Sequence, residues 1–146
     1  MANDAPALTL GQALRQYLDA RNAALVAARA ILGISDIDAR ALLFVVDNPG
    51  TRPTALREYL GITSAGVTTL IDRLVGRSLV RRDVDPADRR VNRITATIDI
   101  AEDPWSALNR FDTDFDIAVE AADQVLVGDS AALLASLTAA TVNTPR

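Results

Sequence analysis

Two short amphipathic segments, one carrying Leu56 and Leu60 and the other Val67, Leu70, Ile71 and Leu74, are joined by only Gly61-Ile62-Thr63. So short a link forces two helices to cross steeply, as in a helix-turn-helix. The second helix starts at Thr63 or Ser64, either of which can cap it, and Pro53 suits the first position of the helix before it. Whatever else the chain contains must pack around this steep pair.

Upstream, Thr9 and Gln12 have the spacing of a capping box, and Leu10, Leu14, Tyr17, Leu18, Leu25, Ala28 and Leu32 recur at helical steps until Gly33. Ser35 caps a second helix with Asp36 and Asp38 in its first turn, running through Leu42, Leu43 and Val46 to the break at Asn48-Pro49-Gly50. Downstream the hydrophobic period falls from about 3.6 to 2. Leu79 to Val84 reads as one strand, and Ile94, Ala96 and Ile98 alternate with polar residues in another. Such a hairpin is marginal alone and must lean on the helices. Asp103-Pro104 is expected to open a fifth helix, with Trp105, Leu108, Phe111, Phe115, Ala118, Ala122 and Val125 on one face and an end at Gly128. Asp129 or Ser130 then starts a sixth through Leu133, Leu134 and Leu137. The expected fold is mainly α, an α+β winged helix-turn-helix lobe with a two-stranded wing plus a helical lobe from both ends of the chain.

At 146 residues and 49% apolar content the chain suits one domain with a core, read as residues 1–146, and is short for a two-domain enzyme. It has no cysteine and no histidine, which excludes thiol catalysis, Cys/His zinc sites and Ser-His-Asp hydrolysis together. Charged residues such as Arg15, Asp19, Arg21 and Arg29 interrupt the Ala/Leu-rich opening, and no apolar run is expected to approach the roughly 20 residues of a membrane span. With no basic-then-apolar leader either, the expected location is the cytoplasm, away from any membrane.

The net charge of -4 hides a partition. Residues 1–49 sum to -1 and residues 96–146 to -7, whereas residues 50–95 hold nine Arg against five acids, a balance of +4. Confined positive charge of this kind is the footprint expected of a polyanion site. It falls on the steep pair and the hairpin: Ser64, Ala65, Gly66, Thr68 and Thr69 make a small, hydroxylated helix start, and Arg81, Arg82, Arg89, Arg90 and Arg93 lie on or beside the turn. Small side chains let a helix approach a groove closely, and a protruding arginine suits a narrow minor groove and bidentate phosphate contact. In the competing reading, Asp83, Asp85 and Asp88 pair with those arginines and leave a neutral turn.

The stretch from Asp38 to Thr97 resembles the DNA-binding lobe of MarR-type transcriptional regulators. Thr63 to Leu74 is similar to the family's recognition helix, and Asp85-Pro86-Ala87-Asp88-Arg89-Arg90 followed by Ile94-Thr95 to its wing. The chain departs from the pattern at Ser78, where a glycine is usual, and at Ile98 to Asp103, which replaces a short threonine-and-glycine turn. The resemblance implies a winged lobe over 36–98 and a helical dimerisation lobe from 8–33 and 104–141. It further implies a homodimer on palindromic double-stranded DNA, responsive to a ligand and more often repressor than activator. By position it puts groove reading on Ser64, Ala65, Gly66, Thr68 and Thr69, with Arg73, Arg82, Arg89, Arg90 and Arg93 as further DNA-binding candidates. The wing-tip contact falls to Arg90 and bracing to Asp72, with Arg73, and to Asp88.

A small amphipathic or aromatic effector is then expected between the dimer helices and the winged lobe. Its candidate lining is Tyr17, Arg21, Arg40, Phe44, Trp105 and Phe111, all of which also serve as ordinary core or salt-bridge positions. No cofactor or metal is expected. Two other classes compete: a winged-helix protein-interaction module without DNA binding, and an enzyme built on Asp112 and Asp116, one turn apart on one helix.

Overall fold

The computed structural model describes residues 8–85 and 92–143. In chain order these form α1 (Leu10–Leu32), α2 (Asp36–Asp47), α3 (Pro53–Leu60), α4 (Ser64–Gly76), β1 (Val80–Val84), β2 (Asn92–Ala96), a 3-10 turn (Trp105–Leu108), α5 (Arg110–Glu120) and α6 (Gln124–Val142). The mainly helical winged fold is the one the sequence predicts. The chain divides into two compact units, one ending at Arg110 and the other starting at Phe111.

In the first unit the starts and stops follow the capping chemistry. Thr9 with Gln12 and Ser35 with Asp38 each form a complete capping box, and Thr63 accepts from the Gly66 N–H to start α4. Gly33 and Gly61 close α1 and α3 in left-handed conformations. Leu42 and Val45 of α2, Leu56 of α3, Ile71 and Leu74 of α4 and Ile94 of β2 form the fully buried centre of one core, to which α1 contributes Ala28. The hairpin is antiparallel with Val80 opposite Ala96 and Val84 opposite Asn92. It leans on the helices as required: the Ile94 N–H donates to the Thr51 carbonyl at 2.8 Å, so the chain just before α3 borders β2 on its other edge.

The end of α4 shows how the chain copes without its expected glycine. Gly76 closes the helix, Arg77 caps it, and Ser78 adopts φ +56°. The Leu79 N–H reaches the Leu74 carbonyl at 2.9 Å and the Ser78 N–H the Val75 carbonyl at 2.8 Å. This is the Schellman arrangement, with a non-glycine residue at its left-handed position. The Thr97 hydroxyl donates to the Ser78 carbonyl at 2.6 Å and ties the turn to the chain after β2.

The second unit corrects two expectations. The predicted single fifth helix is broken at 121–123: Asp123 caps α6 by accepting from the Val125 and Leu126 N–H groups, and the Gln124 amide donates to the Val119, Glu120 and Ala122 carbonyls. These side-chain bonds outweigh a continuous apolar stripe. Gly128, predicted as a helix end, lies inside α6, because the cap at Asp123 starts the helix before it and no competing cap stops it there. Reading Gly128 as an end had also cut one long apolar run in two. The 19-residue α6 carries Asp129 as its one charge and is long and apolar enough to cross a membrane by length and composition alone, which corrects the statement that no run comes near that length.

A left-handed non-glycine residue costs about 1 kcal/mol relative to glycine. Ser78→Gly is therefore expected to raise the unfolding free energy by about 1 kcal/mol in urea titration without changing the slope, whereas Ser78→Ala brings no gain.

Candidate nucleic-acid interface

The fold turns one side of α4 outward. Val67, Leu70, Ile71 and Leu74 are buried, and Ser64, Ala65, Thr68 and Thr69 are exposed, so the small hydroxylated residues share an open face at the start of the helix. Gly66 is half-buried against the preceding turn, where an added Cβ would meet the Thr63 hydroxyl at 3.2 Å. It serves the cap rather than the open face. The Thr68 and Thr69 hydroxyls donate back to the Ser64 and Ala65 carbonyls at 3.0 and 3.1 Å, which leaves their oxygens able to accept.

The arginines divide according to what holds them. Arg73 donates through Nε and Nη2 to Oδ1 of Asp38, at 3.0 and 2.5 Å. Arg93 donates to Asp85 at 2.9 Å from Nε and to the Gly50 carbonyl at 3.2 Å from Nη1, fastening β2 to the turn before α3. Both therefore act in this structure as internal braces. Arg82 reaches Asp72 at 2.6 Å, so Asp72 does link α4 to the wing, through Arg82. Arg81 pairs with Asp83 along its own strand. Asp88, Arg89 and Arg90 lie outside the described residues.

One residue that sequence reasoning passed over stands beside this open face. Arg57, on α3, donates from Nη1 to the Ser64 hydroxyl oxygen at 3.1 Å, bringing a guanidinium to the N-terminal end of α4. The available signal was spacing: Arg57 and Ser64 are seven residues apart across a three-residue link, and a steep crossing brings such positions together. Arg77 is the other omission. It donates to the Gly33 and Leu32 carbonyls at 3.0 and 3.2 Å, capping α1 from the end of α4.

Of the effector candidates, Arg21 and Arg40 line one cavity of about 250 Å³ with Arg29, Asp36, Leu43 and Tyr59. Phe44 joins them through Tyr59, whose ring it stacks on at 4.4 Å, and Arg40 sits 5.9 Å from the same ring. Tyr17 and Trp105 are not among its lining, Trp105 packing against the core of the first unit instead. Phe111 belongs to the second unit and stacks on Phe115.

The Asp38 carboxylate is shifted from its ordinary value. Burial alone would raise its pKa, but hydrogen bonds from Arg73 and from Ser35, with the Arg73 charge, outweigh it and hold the group below the usual carboxylate value. A depressed carboxylate stabilises the fold above its unfolded value of about 3.9, and that contribution disappears as the pH falls through the lower folded value. Asp38→Asn should cost about 2 kcal/mol at pH 7 by chemical denaturation, less than a fully buried pair because Arg73 is 44% exposed. The gap between wild type and variant should narrow as the pH drops below about 4. A gap independent of pH would show that the charge of Asp38 does not matter.

Comparison with known proteins agrees with this geometry. A model of the MarR family matches residues 32–91, the stretch from the end of α1 to just before β2. No curated protein matches the sequence significantly. Among solved structures the chain resembles S. aureus MepR bound to ethidium bromide, with a TM-score of 0.65 at 17% identity, covering 92% of this chain and 97% of that one. It also resembles the transcriptional regulator Tm0710 from Thermotoga maritima, with a TM-score of 0.63 at 18% identity over 93% and 97% of the two chains. For the transcriptional repressor CouR bound to a 23-mer DNA duplex the TM-score is 0.51 at 24% identity, over 89% and 92%. Likeness at these identities establishes a shared fold.

Proposed function

We propose that the chain is a member of the MarR family of transcriptional regulators, whose model matches residues 32–91, and that it is a sequence-specific DNA-binding regulator. It acts as a homodimer on a palindromic operator, as a repressor released by a small amphipathic or aromatic ligand. The carrying observation is the open face of Ser64, Ala65, Thr68 and Thr69 on a helix that follows a three-residue turn and precedes an arginine-bearing hairpin. That face fits a major groove, while Arg82 at the strand and Arg89 and Arg90 by sequence supply phosphate and minor-groove contact. Members of this family are regulators and not enzymes.

Pairing is supported by α5 and α6, in which no residue is buried within the chain. Val125 is 73% and Leu126 64% exposed, and the apolar residues of α6 surround the helix instead of forming one stripe. A helix so constituted needs cover from another surface. We assign that cover to a second copy and assign dimerisation to 8–33 and 104–141. Two reading helices then meet successive major grooves only at about 34–36 Å, so a ligand that changes their spacing changes affinity. The cavity with Arg21, Arg40 and Tyr59 suits an anionic aromatic effector.

One observation favours the second reading, a winged-helix module that docks protein. Arg81, Arg82 and Arg93 each have a carboxylate partner, so the positive charge of the described part of the wing is largely answered locally. Selection of bound sequences from a random DNA pool separates the two. A regulator of the proposed kind enriches a two-fold symmetric motif with half-sites one helical turn apart, and a docking module enriches nothing. Arg90→Ala should weaken binding to that motif and lower the slope of log affinity against log salt by about 1; an unchanged slope removes Arg90 from the phosphate contacts.

A further inference from the structure

Ser64 is the most N-terminal polar side chain on the open face of α4, and its hydroxyl oxygen accepts from Arg57 at 3.1 Å. A serine hydroxyl has one proton to give and two lone pairs to receive. With one lone pair occupied by a cation, the proton is the free group, and it is directed away from the guanidinium by simple repulsion. The Arg57 carbonyl accepts from the Gly61 and Ile62 N–H groups, which holds the backbone at the turn, and the Arg57 Nη2 lies 3.6 Å from Oε1 of Glu58.

We propose that Arg57 is a specificity-determining residue that acts through Ser64, committing this hydroxyl to donate. Resting on the DNA-reading assignment above, this gives the start of the reading helix a preference. In the major groove, acceptors are offered by guanine N7 and O6, adenine N7 and thymine O4, and donors by the cytosine and adenine amino groups. A Ser64 bonded to Arg57 favours the acceptor edges, and a Ser64 released from it takes either kind. The preference at one base position is thus set by a residue on the neighbouring helix.

The test is selection from a random DNA pool with full-length wild type, Ser64→Ala, Arg57→Ala, Arg57→Gln and the double variant Arg57→Ala/Ser64→Ala. Thermal melting of each protein confirms its folded state. The expected result is that Ser64→Ala and Arg57→Ala relax the motif at the same base position by about fivefold, the worth of one hydrogen bond. The double variant relaxes it no further than Ser64→Ala does. Arg57→Gln, which keeps a donor but no charge, should retain the base preference while reducing the salt slope. If Arg57→Ala lowers affinity for every sequence alike and leaves the wild-type motif intact, the inference is overturned and Arg57 is only a phosphate contact. If wild type itself enriches no motif, the DNA-reading assignment fails, an outcome distinct from the previous one.

Discussion

The buried carboxylate of Asp38 does two tasks at once. It closes the capping box at the start of α2 by accepting from the Ser35 N–H at 3.3 Å, and it receives both the Nε and Nη2 of Arg73 from α4. The angle of α4 is thereby referred to the first turn of α2 rather than to the loop between α3 and α4. Arg77, one turn further along α4, adds a second tie by donating to the last carbonyls of α1. Two arginines four residues apart therefore clamp the C-terminal half of α4 to the α1–α2 junction, and the N-terminal half is left to face outward. An exposed ion pair is worth little, but Asp38 is buried, and losing its partner would leave a desolvated charge.

Under the proposed function, that clamp links the candidate effector cavity to α4. Arg29 and Asp36 both line the cavity with Arg40 and Tyr59, and they pair with each other at 2.6 Å. Asp36 lies in the same first turn of α2 as Asp38. An anionic ligand that drew Arg29 away would remove a tie across the α1–α2 junction, close to where α4 is fastened. Coupling of this kind needs a bistable element and not a contact path alone, and relative movement of α1 against α2 supplies one candidate.

Sequence reading found the elements whose signals are local. Thr9 with Gln12, Ser35 with Asp38, and Gly33 and Gly61 marked their helix ends because caps act within four residues. The period change marked the hairpin for the same reason. It failed at 121–123, where the apolar stripe through Ala118, Ala122 and Val125 reads as continuous and the deciding bonds come from Asp123 and Gln124, residues as common inside surface helices as at their ends. The exposed hydroxylated face of α4 was legible from periodicity, since Val67, Leu70, Ile71 and Leu74 define the opposite side. The division of the arginines was not. Whether Arg73 faces Asp38 or solvent depends on a contact 35 residues away in sequence, and no local pattern encodes it. Pairing by the wing carboxylates follows from their proximity in the sequence, and Asp83 and Asp85 do take Arg81 and Arg93.

The internal pairing of these arginines bears on what kind of surface the wing can be. A cation matched by a carboxylate a few ångströms away presents a dipole to distant charges, and its field falls below that of a lone cation within a Debye length of about 8 Å at physiological ionic strength. The +4 balance of residues 50–95 therefore does not act as an even positive face. Arg73 and Arg93 hold the frame. Any long-range positive field must come from the arginines left over once the braces are subtracted; in the sequence Arg89 and Arg90 are adjacent, directly after Asp88.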